Sequence, residues 1–228
     1  YNLLGYLKKL NHRNSLNSDF DIEAFGEDLG KGIYFESSIP EGYGIGSSGA
    51  LIAALYDKYV KNNPSPEEMH SRDMLDLKTR LAQLESLYHG TSSGIDPLNS
   101  YMKNPLLFKD NGEINKVDIH LPVKNQDFAV FLLNSGKRGE TGPLVNIFLE
   151  KTKKPGKRGI QVDQLKNLTN RAIKSIIKGQ NREFFSALKG LSEYQLTYFD
   201  SMIPEGFINI WKYGLESEKY FLKLCGSG

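Results

Sequence analysis

Leu3, Leu4, Leu7 and Leu10 recur three and four residues apart, predicting a short helix that ends in the polar stretch 11–18. Phe20, Ile22 and Ala24 alternate with Asp19, Asp21 and Glu23, the pattern of a half-exposed strand. Residues 33–39 predict a second strand, closed by Pro40. A Gly-rich turn over 41–46 follows, and Ser47-Ser48-Gly49 opens an apolar helix over 50–60. The Asn-Asn-Pro-Ser-Pro stretch 62–66 is a loop. Met74, Leu77, Leu81, Leu84 and Tyr88 then mark a second, longer helix.

A second turn-rich segment, 89–97, comes next. Val117, Ile119 and Leu121 alternate as in a strand, and 128–133 is a continuous apolar run suited to a strand covered on both faces. The remainder predicts helices over 144–149, over 162–177 with a stop at Gly179, over 184–199 and over 207–213. Residues 220–224 predict a strand entering the terminal Gly-Ser-Gly. There are no internal repeats, and 122–127 is the best boundary, dividing the chain into 1–123 and 124–228. The pattern is that of an α+β chain with its chemistry in two Gly/Ser loops.

Composition narrows the function classes. The 228 residues are 39% hydrophobic and 25% charged, near the values of ordinary globular chains rather than disordered or collagenous ones. No apolar run approaches the roughly 18 to 20 residues that span a bilayer, so no membrane helix is expected. The lone Cys225 excludes an internal disulfide and a Cys-based metal site, and it fits a reducing, cytoplasmic setting. Lys and Arg number 29 against 27 Asp and Glu, so no global field favours nucleic acid. A basic run at 151–158 is interrupted by Pro155 and Gly156 and suits a solvated loop.

The first loop, Gly42-Tyr43-Gly44-Ile45-Gly46-Ser47-Ser48-Gly49, has a direct physical use between a strand and a helix. Glycines turn the backbone tightly and present N–H groups to an anion, and a helix start adds the positive end of its dipole. Either serine can bind a phosphate or Mg²⁺. A Walker loop is excluded because no Lys lies between Ile39 and Lys58, and Ser47 stands where a dinucleotide fingerprint needs Gly. A Ser-capped Gly turn without a ligand remains the plain alternative.

The segment 39–55, IPEGYGIGSSGALIAAL, resembles the ATP-binding motif of the GHMP small-molecule kinases, Pro, a few residues, Gly-Leu-Gly-Ser-Ser-Ala and an Ala-rich helix. Ile45 stands where Leu is usual and Gly49 where Ala is usual. The resemblance implies that Gly42, Tyr43, Gly44, Ile45, Gly46, Ser47, Ser48 and Gly49 wrap the triphosphate of ATP. It also implies Ser48 as a magnesium ligand.

In the second loop, Glu85 borders the apolar face of its helix and Asp96 precedes Pro97; taken singly they suit a solvated Glu and a turn-forming Asp. Residues 85–96, Glu-Ser-Leu-Tyr-His-Gly-Thr-Ser-Ser-Gly-Ile-Asp, resemble the mevalonate kinase segment Glu-x-x-x-His-Gly-Asn-Pro-Ser-Gly-Val-Asp. Thr91 and Ser92 replace its Asn-Pro, and the wording is nearest that of Bacteroidetes-type bacteria. The resemblance implies Glu85 as the second magnesium ligand, Asp96 as the base for the acceptor hydroxyl, and Ser93 as its polar neighbour. It puts His89 and Thr141 near the substrate, and Arg138 stands one position from the family's arginine. Phosphoryl transfer asks for such a set: a phosphate cradle, Mg²⁺ on hard oxygens, and a base.

The implied fold is the two-domain GHMP kinase fold, a ribosomal-protein-S5-like N-terminal domain and a ferredoxin-like/helical C-terminal domain. The implied reaction is transfer from ATP to a small alcohol, mevalonate first and phosphomevalonate or another alcohol as rivals. The partner is then the small-molecule acceptor, with neither nucleic acid nor membrane, and a homodimer is allowed. Residues 223–228 resemble the start of the family's third Gly motif, and no match to its N-terminal Lys-bearing segment is present, so truncation at both ends, with the first strands missing, is expected, and with it a fragment that is not an active kinase by itself. Outside the kinases, residues 90–94 fit G-x-S-x-G, which would make Ser92 a hydrolase nucleophile, but that elbow must follow a strand. The aromatic-rich helices of the last third could also form a partner surface, although core packing accounts for their spacing.

Overall fold

The computed structural model describes residues 2–13, 19–119, 128–136, 141–152 and 158–225. The chain divides into two units, residues 1–41 with 46–117 and residues 42–45 with 118–228. The boundary expected at 123/124 falls among residues outside the described set.

In the first unit, α1 (Leu3–His12) starts at Asn2, whose side chain accepts the Gly5 N–H at 2.9 Å. The alternation at 20–24 does not form a strand. Asp21 accepts the Ala24 N–H at 3.0 Å and caps α2 (Ile22–Gly30), so the cap outweighs a short period-2 pattern. Phe20 alone keeps a bridge, to Val60. It joins Phe25 and Tyr59 in an aromatic cluster with ring centroids 5.1 to 5.9 Å apart.

α3 (Ser47–Tyr59) and α4 (Ser71–His89) lie where the apolar spacing predicts. α5 (Ile95–Met102) was not expected, because Asp96-Pro97 reads as a turn. Pro97 sits in its first turn, where a missing N–H costs no intrahelical bond and the fixed φ favours the helix. β1 (Leu106–Phe108) and β2 (Ile114–Lys116) follow as an antiparallel hairpin, with Phe108 opposite Ile114. Of the strand expected at 117–121, residues 117–119 form no strand and 120–121 lie outside the described residues. Leu7, Ile52, Tyr56, Leu77, Leu81, Leu84, Leu98, Met102 and Ile114 bury their side chains in one core. Tyr101 meets Tyr56 edge-on at 5.4 Å and donates to the Pro64 carbonyl. Burial pushes its hydroxyl up to about 12, so it stays protonated as a donor.

The second unit contains α6 (Thr141–Thr152), α7 (Arg158–Ile177), α8 (Asn181–Tyr198) and α9 (Ile208–Ser217). α7 and α8 pack closely at Gly190, where a Cβ would come within 2.6 Å of Leu168. Trp211 is buried beside Tyr194 and Phe199, and its indole N–H donates to the Ser192 carbonyl at 3.1 Å. Among the described residues this unit holds helices and unpaired extended segments, with no strand ladder.

Three further expected strands are absent for one reason. Residues 33–39, 128–133 and 220–224 run without ladder partners among the described residues. A strand exists through its pairing, and apolar residues alone do not supply it. Phe131 is 84% exposed, so 128–133 is not covered on both faces as its sequence predicts, and Tyr34 in 33–39 is 82% exposed.

Leu81 is fully buried between α4 and its neighbours. Leu81→Ala is expected to cost about 2–5 kcal/mol in the first unit, read as a lowered urea midpoint with an unchanged m-value. A loss below about 1 kcal/mol would contradict this core.

Candidate active site

The first loop has the backbone that its glycines predict. Gly42, Gly44 and Gly46 have φ of 80°, 68° and 79°, in the left-handed region that side chains disfavour. Gly46 is the N-cap of α3 and brings no side chain to the cap. The first-turn N–H groups of Ser47, Ser48 and Gly49 thus lie at the helix start, at the positive end of the dipole. Such a terminus suits phosphate.

Glu85 lies on α4 between Leu81, Leu84 and Tyr88, and this spacing carries it into the protein, where it is 4% exposed. Ser48 Oγ donates to Glu85 Oε1 at 2.8 Å, and Ser92 Oγ donates to Glu85 Oε2. Among the described side chains no cation meets this carboxylate. A buried carboxylate without a cationic partner is costly, and hydroxyl bonds offset only part of that cost.

The donor chemistry suits Mg²⁺: a hydroxyl and a carboxylate oxygen are hard ligands, and Ser48 Oγ and Glu85 Oε1 already stand side by side through their hydrogen bond. No group of three His, Cys, Asp or Glu side chains able to hold a metal occurs among the described residues. Mg²⁺ needs none, because it keeps waters and takes phosphate oxygens as ligands.

Asp96 is the second residue of α5 and is exposed. It lies against the start of α3: a Cβ on Gly46 would stand 3.5 Å from the Asp96 carboxyl carbon. At Gly49 the approach is tighter, since a Cβ there would meet the Asp96 carbonyl carbon and the Pro97 nitrogen at 2.7 Å. Two glycines flanking Ser47-Ser48 therefore let the two helix starts converge. A third glycine sets the other side. Gly94 has φ of 71°, and a Cβ on it would come within 2.1 Å of the Lys78 carbonyl, so the second loop is pressed onto α4.

The structure thus assembles Ser48, Glu85 and Asp96 from three helices of one unit. Ser93 is exposed, and its hydroxyl accepts the Ile95 N–H at 3.3 Å. His89 is the last residue of α4 and Thr141 the first of α6; Arg138 lies outside the described residues. Tyr43 and Ile45 are half-buried beside exposed Gly44. Just before His89, burial and then the Glu41 charge raise the Tyr88 hydroxyl above its ordinary value.

The sequence pattern offers Ser92 only as a hydrolase nucleophile, whereas the structure bonds its hydroxyl to Glu85. The segment 90–94 follows a helix instead of a strand, and the Ser92 hydroxyl proton points to a carboxylate instead of an imidazole. Both features contradict a nucleophile elbow.

Residues 16–103 match the family model described as GHMP kinases N terminal domain. That span contains α2, α3, α4, α5 and every residue of the Ser48, Glu85 and Asp96 cluster. The match supports the GHMP superfamily and with it a kinase enzyme. No curated protein matches the chain, and no solved structure does. Among the described residues, no helix is long and apolar enough to cross a membrane.

The departure at Gly49 gives a sharp expectation. Alanine would add up to about 1 kcal/mol of helix propensity, but its Cβ would meet backbone atoms that cannot swing aside. Gly49→Ala is expected to cost a net 1–2 kcal/mol or so, measured by chemical denaturation. A stabilised variant would show that α3 and α5 are not in this close contact.

Proposed function

We propose that the protein transfers the γ-phosphoryl group of ATP to the primary hydroxyl of a small alcohol, with mevalonate the first candidate acceptor. The observation that carries this reading is the joint placement of Ser48, Glu85 and Asp96. Ser48 bonds to the buried Glu85 carboxylate, while Asp96 packs against the glycines on either side of the two serines. The family match over 16–103 supports a kinase of this class.

Residues 42–49 cradle the nucleotide phosphates through backbone N–H groups and the start of α3. Ser48 and Glu85 hold Mg²⁺, which when bound neutralises charge on the transferred group. Asp96 accepts the proton of the acceptor hydroxyl as its oxygen bonds to phosphorus and the bond from phosphorus to the β-phosphate oxygen breaks, releasing ADP. Ser93 supports the start of α5 that carries Asp96. The setting is cytoplasmic, and the partners are small molecules.

A panel of alcohols with ATP and Mg²⁺, read as ADP release, tests the acceptor. Turnover with mevalonate is expected; turnover with phosphomevalonate or another alcohol and none with mevalonate would replace the acceptor. Asp96→Asn is expected to lower kcat about 10²- to 10⁴-fold with a folded protein, as measured by circular dichroism. Glu85→Gln should raise the Mg²⁺ concentration needed for half-maximal activity. Undiminished activity in Asp96→Asn would remove the base assignment.

A further inference from the structure

We infer that Ser92 is a positioning residue that orients the Glu85 carboxylate for metal binding and ties it to the helix carrying Asp96. This rests on the proposed metal role of Glu85. The terminal torsion of a glutamate is broad, so a buried carboxylate needs a second contact to present one chosen oxygen. Ser92 supplies it. Its single hydroxyl proton goes to Oε2, leaving Oε1 to face Ser48.

The direction of that proton is itself set. The Gly94 N–H donates to Ser92 Oγ at 2.9 Å, taking up acceptor capacity on the hydroxyl oxygen while its hydrogen is directed at Glu85. Gly94 is the N-cap of α5 and cannot move without displacing its contact with α4 at Lys78 and Ala82. A continuous path therefore runs Ser48, Glu85, Ser92, Gly94, and two residues further on lies Asp96. The metal-ligating pair and the base would be held in register by one hydroxyl.

Position 92 is also where this chain departs from the segment it resembles, which has Pro there. Proline has neither a hydroxyl nor an N–H, so the orientation of Glu85 in this chain depends on a group that the motif does not specify. Outer-shell partners of metal ligands commonly change metal affinity 10- to 100-fold when removed.

The test uses the intact protein with Mn²⁺ as a spectroscopic probe for Mg²⁺ and a non-hydrolysable ATP analogue. Mn²⁺ affinity is measured by electron paramagnetic resonance for the wild type, Ser92→Ala and Ser92→Thr, beside thermal unfolding without metal. Ser92→Ala is expected to weaken Mn²⁺ binding about tenfold or more, and Ser92→Thr, which keeps the hydroxyl, to restore most of it. A residue with only a structural role would lower the unfolding temperature and leave Mn²⁺ affinity unchanged; that result overturns the inference. A wild type that binds no Mn²⁺ with the analogue would instead overturn the metal role of Glu85, and this inference with it.

Discussion

The backbone of α5 reaches α3 because position 49 has no side chain, and the rest of the site depends on that approach. A methyl group there would meet the Asp96 carbonyl and the Pro97 nitrogen well inside van der Waals distance. Were the helices separated by the width of a methyl group, Asp96 would leave the start of α3. The same approach needs Gly94 on the far side, where α5 begins against the backbone of α4. Two glycines thus let three helices that already share an apolar core approach closely at the cluster.

That geometry explains why so polar a cluster is tolerated in a small unit. The core of Leu81, Leu84, Leu98 and Met102 lies beneath the cluster and supplies the burial that stabilises the fold. Glu85 is the one carboxylate carried into that region, and it is held by two hydroxyls among the described groups. A stable protein without need of a cation would gain by replacing it with an apolar residue. Under the proposed function, a bound cation would complete what the two hydroxyls only partly compensate.

Much of the first unit was legible because its helices carry long apolar repeats. Leu77, Leu81 and Leu84 define α4 by spacing, and the repeated glycines just before Ser47-Ser48 mark the turn that enters α3. The strands were less legible. Residues 33–39 and 128–133 have the composition of strands, yet composition cannot supply the neighbour that makes a ladder. At 20–24 a capping Asp overrode the alternation, and at 95–102 a proline that reads as a turn proved to be a helix start.

The amino-acid sequence by itself determined the loop chemistry, the order of the two Gly/Ser segments and the resemblance that orders Ser48, Glu85 and Asp96. Those features are local, and each depends on residue types within about a dozen positions. Only the tertiary structure decided that Gly49 is a packing requirement, that Glu85 is buried and that Ser92 holds it. These depend on distances between helices far apart in sequence. Spacing within a single helix does not encode such distances, because they emerge only once the side chains of several elements have to share one volume.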